Sequence, residues 1–305
     1  TEAARITGLS AASIRYHVRE GHLEAEQRVQ RHYVSRQAAL ALVAPQRVGA
    51  SDPSPKCRVI AVVNQKGGSG KTTTAVSLAY LLSKTGPVLA IDCDPQGNLT
   101  QAFGLNPDTQ SLTVYDVLVN ERSIADCALP LTNIPGIHLV PANLDLADAW
   151  RRLLGKVGVD ALIRVALNPV VALYRYVIID CPPSLDMVTM CALVAATEVI
   201  VPVDMSLFSV RGMTKLMGSV EAVRKVNPTL PAPRILICRT DNTTVSATIE
   251  EQLRKGYGAN VFGTVIPRGT AVPESHLART PLPIHAASSK PAIAYARLAD
   301  EVNHA

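Results

Sequence analysis

The sequence predicts an α/β fold: a doubly wound, mostly parallel sheet covered by helices, preceded by a small separate helical domain. Three observations predict it. Short apolar runs alternate with helix-length stretches from residue 57 onward, the pattern of repeated β-α-β units. The first of those runs leads straight into a loop rich in glycine and lysine, and that loop opens a helix. A Pro/Ser/Gly-rich stretch over residues 46–56 has no hydrophobic period and separates this region from an arginine-rich start. The expected organisation is therefore a small domain over 1–45, a linker over 46–56 and an α/β domain over 57–305.

In chain order, residues 2–6 suit a short helix, Thr7-Gly8-Leu9 a turn, and Ser10 the N-cap of a second helix through Glu20. Beyond the linker, residues 58–63, 88–91, 176–179, 199–203 and 235–237 are near-continuous apolar runs, as strands buried on both faces require. Helices are expected over 72–83, 187–196, 211–226 and 245–255. Residues 292–302 complete the set as a closing helix whose Arg297, Asp300 and Glu301 mark it as docked on a surface rather than inserted in a membrane.

Composition narrows the function classes. The chain has 305 residues and a net charge of +5, which permits a nucleic-acid partner without requiring one. Its six cysteines, at 57, 93, 127, 181, 191 and 238, form no C-x-x-C pair, so neither a disulfide framework nor a structural zinc site is expected. No apolar run reaches the roughly 20 residues of a membrane span, and the reading is of a cytoplasmic protein.

The strongest chemical signal is Asn64-Gln65-Lys66-Gly67-Gly68-Ser69-Gly70-Lys71-Thr72-Thr73-Thr74. Glycines let backbone N–H groups turn inward around phosphate oxygens, and the helix N-terminus behind them adds positive potential. Lys71 is placed for the β- and γ-phosphates, and the Thr72 hydroxyl for Mg²⁺. Gly67, Gly68, Ser69, Gly70 and Thr73 complete the cradle. Gln65 stands where the general pattern has glycine, and Lys66 is an additional lysine five residues before Lys71. Two further segments end apolar strands in carboxylates: Asp92-Cys93-Asp94 after Ala90-Ile91, and Asp180 after Val177-Ile178-Ile179. Open α/β sheets bind ligands at such strand ends.

Lys66-Gly67-Gly68-Ser69-Gly70-Lys71-Thr72 resembles the deviant Walker A loop of the ParA/MinD group. The resemblance covers roughly 57–303. It implies an ATPase with ATP and Mg²⁺ as cofactors and a slow basal rate. In that family the early lysine reaches the nucleotide of a partner subunit, so Lys66 implies a nucleotide-dependent homodimer. Asp94 then matches the residue that positions the attacking water, Asp92 stands behind it near the metal, and Asp180 matches the Walker B carboxylate that holds Mg²⁺ through water. Ile266-Pro267-Arg268 resembles a turn near the adenine, which makes Pro267 and Arg268 nucleotide contacts. Asn242 replaces the arginine usual in the preceding loop, and no guanine-reading Asn-Lys-x-Asp is present.

Residues 2–44 resemble the MerR-type winged helix-turn-helix, through Ser13-Ile14-Arg15-Tyr16-His17, Glu20-Gly21-His22-Leu23 and Arg31-His32-Tyr33. Arg15 and Arg19 share a helix face beside Tyr16, a face suited to the major groove, while Arg28, Arg31 and Tyr33 would set the register on phosphates. Residues 1–50 hold seven Arg against four Glu, so +3 of the chain's charge lies there. The rival reading of that face is a solvated protein-interaction surface.

ParA proteins also bind DNA without sequence preference. Arg211, Arg224, Lys225, Arg254 and Lys255 are the candidates here, alongside Arg268, although cations at helix ends also suit the helix dipole. Taken together, the resemblance implies a nucleoid-associated DNA-partition ATPase, stimulated by a ParB-like centromere-binding protein and able to bind its own operator, with no membrane partner. Two rivals share these motifs: a nucleotide-sensing transcriptional repressor, and a positioning ATPase of the same type for a non-DNA cargo.

Overall fold

The computed structural model describes residues 25–28, 31–34 and 56–304 except 206 and 242; side chains are described from residue 56 on, excluding 206–212. The two helices expected before residue 21, with Arg15, Tyr16 and Arg19, lie outside the described residues. Where the wing is expected, strands β1 (Ala25–Arg28) and β2 (Arg31–Val34) pair antiparallel, with Ala25 opposite Val34 and Arg28 opposite Arg31.

The remaining strands form one eight-stranded sheet. In chain order they are β3 (Arg58–Val62), β4 (Val88–Asp92), β5 (Leu129–Pro130), β6 (Ile137–Val140), β7 (Tyr176–Asp180), β8 (Glu198–Asp204), β9 (Arg234–Thr240) and β10 (Val261–Pro267). Their spatial order is β10-β9-β8-β3-β7-β4-β6-β5, and every neighbouring pair is parallel except β5 with β6. The chain starts in the middle at β3, runs out to one edge, returns to insert β7 beside β3, and then builds the other half. This reversal of winding direction opens a crevice at the C-terminal ends of the central strands.

Alternation along each strand explains why the apolar runs are unbroken. Val59, Ala61 and Val63 enter the core on one face of the sheet, while Ile60 and Val62 enter the core on the other. Helix α1 (Lys71–Leu82) covers the second face together with the last long helix, α6 (Lys290–Asn303). Helix α2 (Met187–Ala195) covers the first, packed beside the short helix Leu162–Leu167. The other helices used below are α3 (Leu207–Arg224), α4 (Thr244–Tyr257) and α5 (Ala271–Leu277).

Three strands escape the sequence reading: β5, β6 and β10. Strands β5 and β6 are too short for a periodic signal. Strand β10 contains Gly263 and Thr264, which weaken its pattern, and the structure shows how they are tolerated. Pairing with β9 shifts register between Val261 and Val265, and the Gly263 and Thr264 amides donate instead to Glu301 of α6 at 2.9 and 3.0 Å. A helix carboxylate thus satisfies backbone donors that an edge strand would leave open.

Among the described residues no cysteine forms a disulfide, and five of the six are buried. No helix among the described residues is long and apolar enough to cross a membrane.

Candidate active site: a phosphate loop at the C-terminal ends of the central strands

Strand β3 ends at Val62, and residues 63–70 loop round before α1 begins at Lys71. The turn needs left-handed backbone at Gly68 (φ 73°) and at Gly70 (φ 99°), which is where glycine is freest. Asn64 anchors the entry: its side-chain amide donates to the Pro202 carbonyl at 2.6 Å, and its Oδ1 accepts from the Lys66 amide at 3.0 Å. The loop is thereby tied to β8. Helix α1 is buried over most of its circumference, with Thr73, Thr74, Ala75, Ser77, Leu78 and Ala79 all inside. Thr74 and Tyr295 hydroxyls meet at 3.1 Å, locking α1 to α6.

The two loop lysines play different parts. Lys71 is buried and its ammonium donates to the Lys66 carbonyl at 3.1 Å, folding back across the loop. Burial lowers its pKa, and the charges of Asp180 and Asp94 oppose that drop. Lys66 points the other way. Its ammonium bonds both carboxylate oxygens of Asp204, at the end of β8, at 2.8 and 2.7 Å.

Asp180 ends β7 directly beside the loop. It is fully buried, and neither carboxylate oxygen has a hydrogen bond of normal geometry. Burial pushes its pKa well up, Asp92 pushes it further, and Thr72 and Lys71 pull it back. A buried, unpartnered carboxylate is costly unless something cationic completes it. The Thr72 hydroxyl and the Lys71 ammonium beside it match the surroundings of a hydrated Mg²⁺ ion. Ser69 repeats the pattern inside the loop, with a buried hydroxyl that has no partner. The donor set and its orphaned atoms fit a magnesium nucleotide.

Asp92 and Asp94 divide the switch segment after β4 between them. Asp92 is fully satisfied from within: Oδ2 accepts from the Thr100 amide and hydroxyl at 2.8 and 2.7 Å, and Oδ1 from the Asp94 amide at 3.1 Å. Burial, partly offset by these bonds, sets its pKa at about 7. Thr100 also accepts the Ala142 amide at 3.1 Å, so Asp92 knits β4 to the segment after β6. Asp94 is 6% exposed and caps only the Gln96 amide, at 3.0 Å, which leaves it facing the Lys71–Asp180 cluster.

The structure therefore gathers Lys71, Thr72, Asp94 and Asp180 at one strand-end cluster, while Lys66 of the same loop pairs with Asp204. Pro267 and Arg268 stand at the same end of the sheet on its outermost strand, where the Arg268 amide donates to the Thr240 carbonyl at 2.9 Å. Asn242 lies outside the described residues. Two contacts on the loop escaped sequence reasoning. Arg239 Nη1 donates to the Gly68 carbonyl at 3.0 Å, and His276 Nε2 on α5 lies 3.0 Å from the Thr73 hydroxyl. No local motif marks either residue; each reaches the loop from a distant part of the chain.

The surface cations are less concentrated than the sequence suggests. Arg224 pairs with Glu221 at 2.9 Å, Arg254 with Glu250 at 2.9 Å and Lys255 with Glu251 at 2.8 Å. Exposed pairs of this kind are worth about 0–1 kcal/mol, so a phosphate can displace the acid, but each pair cancels local net charge. Lys225 follows α3, and the side chains of Arg211, Arg28, Arg31 and Tyr33 are outside the description.

Fold and site together define a P-loop nucleotide-hydrolysing enzyme. Residues 57–232 match the family described as AAA domain. The chain is 37% identical to the chromosome partitioning protein ParA of Caulobacter vibrioides, over 80% of this chain and 93% of that protein. It is 35% identical to the sporulation initiation inhibitor protein Soj of Bacillus subtilis, over 80% and 98%. Among solved structures, one titled cobyrinic acid a,c-diamide synthase from Mycobacterium smegmatis, with bound ATP analogue and magnesium, superposes with a TM-score of 0.71 at 33% identity, covering 81% of this chain and 94% of that one. The chain belongs to the ParA-type family of P-loop ATPases. ATP and Mg²⁺ are its cofactors.

Proposed function

We propose that this protein is a DNA-partition ATPase whose ATP-bound dimer holds DNA and whose hydrolysis is stimulated by a ParB-like centromere-binding partner. The observation that carries the reading is the placement of Lys66. A phosphate loop needs one lysine, and Lys71 fills that place, buried against Asp180 and Asp94. Lys66 instead turns to Asp204 at the end of β8, with about a third of its side chain exposed. That position suits a lysine meant for a second copy's nucleotide. The relatives named for chromosome partitioning support the cargo assignment.

In this reading ATP would supply the reactive phosphoanhydride and Mg²⁺ would neutralise charge on its phosphates. Gly67, Gly68, Ser69, Gly70, Thr72 and Thr73 hold the phosphates through backbone and hydroxyl groups, and Lys71 neutralises charge on the β- and γ-oxygens. Asp180 and Thr72 would hold the metal. Asp94, whose side chain caps only the Gln96 amide, is placed to orient the attacking water. Asp92 keeps that switch segment in place from behind. Pro267 and Arg268 border the base.

DNA contacts are assigned to Arg211, Arg224, Lys225, Arg254, Lys255 and Arg268 for non-specific binding, and to the region around Arg15, Arg19 and Arg31 for an operator. The protein then works in the cytoplasm on the nucleoid. The test is DNA binding on random and operator duplexes with no nucleotide, ADP or ATP. Salt-sensitive binding to random DNA that requires ATP, is lost in Lys66→Gln and survives removal of residues 1–50 supports the proposal. Operator binding alone, indifferent to nucleotide, would make the protein a repressor instead.

A further inference from the structure

Arg239, next to last in β9, has a left-handed backbone with φ 58°. Outside glycine, such a conformation is strained and persists only where its surroundings over-determine it, which happens most often at functional sites. Here the strain has a visible product. The turn at Arg239 sends its guanidinium back over the phosphate loop, where Nη1 donates to the Gly68 carbonyl at 3.0 Å. Arg239 Nη1 is also the nearest atom, at 3.5 Å, to where a Gly68 Cβ would stand, so the guanidinium lies close against the loop.

The consequence follows from peptide geometry. The Gly68–Ser69 peptide is planar and trans, so its C=O and N–H point in opposite directions. An exposed guanidinium that holds the Gly68 carbonyl toward itself holds the Ser69 N–H on the opposite side, away from Arg239. That is the direction in which a phosphate loop collects oxygens of the phosphate chain. Ser69 is itself buried, and its hydroxyl has no partner, consistent with a group waiting for a ligand.

The geometry points to Arg239 as a positioning residue that presets the Ser69 N–H for the β-phosphate of the nucleotide. It acts through the loop carbonyl and touches no phosphate. The guanidinium suits the task because it stays charged at any working pH and reaches the loop with a rigid, planar donor. Unlike Lys66, whose proposed target lies in a second subunit, Arg239 completes the site within one chain. This inference rests on nucleotide binding at the loop.

The experiment is calorimetric titration of the whole protein with Mg·ADP and with Mg·ATP, and with AMP by competition, for wild type, Arg239→Ala, Arg239→Asn and Arg239→Lys. Arg239 is exposed, so thermal stability should hold within a degree or two. Both Arg239→Ala and Arg239→Asn should bind ADP and ATP about ten-fold more weakly. Asparagine tolerates the left-handed backbone but is too short to reach Gly68, so it separates the side chain's role from the backbone's. AMP, which has no β-phosphate, should bind all four proteins alike, and Arg239→Lys should recover part of the loss. Unchanged ADP affinity in Arg239→Ala, with wild type binding normally, overturns the inference. So does a loss confined to ATP, which would place Arg239 at the γ-phosphate or across a subunit interface. A wild type that binds no nucleotide would instead sink the nucleotide site itself.

Discussion

The Lys66 ammonium sits between the two carboxylate oxygens of Asp204, 2.8 and 2.7 Å away, and so joins the phosphate loop to the end of β8 within one subunit. Asp204 is the more buried partner, its side chain 13% exposed against 35% for Lys66. If Lys66 must reach a second subunit, this ion pair has to open first, and Asp204 opposes dimerisation by the strength of the bond. Partly exposed pairs are worth about 1 kcal/mol or less, equivalent to roughly five-fold in an equilibrium. Asp204→Asn should therefore dimerise with ATP at a several-fold lower protein concentration. Analytical ultracentrifugation across a concentration series reads this directly, and an unchanged midpoint would show that Asp204 exerts no hold.

The two lysines should separate in a single pair of variants. Lys71→Ala removes the buried cation among Asp180 and Asp94 and should abolish nucleotide binding outright. Lys66→Gln should bind Mg·ATP within a few-fold of wild type yet fail to dimerise or hydrolyse. Equal loss of binding in both variants would mean that Lys66 serves its own subunit's nucleotide.

Asp180→Asn tests whether a carboxylate is kept for metal at the expense of stability. Both oxygens of Asp180 are buried without a hydrogen bond of normal geometry, and burial pushes its pKa well up. Removing the charge should leave the nucleotide-free protein as stable as wild type, or more stable by about 1 kcal/mol. The stabilisation by Mg²⁺ over that by nucleotide alone should disappear. Thermal denaturation with ADP, with and without Mg²⁺, gives both numbers; a markedly less stable variant would point to a structural role.

His138, on β6, supplies a pH dependence away from the site. Its ring is buried, its Nδ1 lies 2.7 Å from the Tyr174 hydroxyl, and burial lowers its pKa to about 4. The unfolded chain takes up that proton near the ordinary value of 6.5, and the folded one only near 4. Stability attributable to this group is therefore full above pH 6.5 and lost as pH falls toward 4, by roughly 3 kcal/mol in all. Denaturant titrations between pH 7 and pH 4 should show that slope, and His138→Gln should flatten it. A wild-type curve no steeper than the variant's would put His138 in contact with solvent.

Much of this protein was legible in order along the chain. The strand-loop-helix around Lys66–Thr74 carries its own geometry, because glycines at 68 and 70 permit the turn and the helix follows at once. The continuous apolar runs before Asp92 and Asp180 announce strands buried on both faces, and a carboxylate at each C-terminal end. These are local facts, set by backbone freedom and by side-chain period, so the sequence alone determined the α/β class of residues 57 onward, the phosphate loop and the two acidic strand ends. What those residues bond to was decided only by tertiary structure. Asp92 and Asp94 stand two apart in sequence, yet one is saturated by Thr100 while the other is left open to the cluster. Lys66 meets Asp204, Gly68 meets Arg239, Thr73 meets His276 and Gly263 meets Glu301 across long stretches of chain. Such partners are chosen by the order of strands in the sheet, since β7 and β8 flank β3 whatever their distance along the chain. Parallel pairing brings strand ends together at one edge, and no periodicity within a single segment encodes which ends will meet.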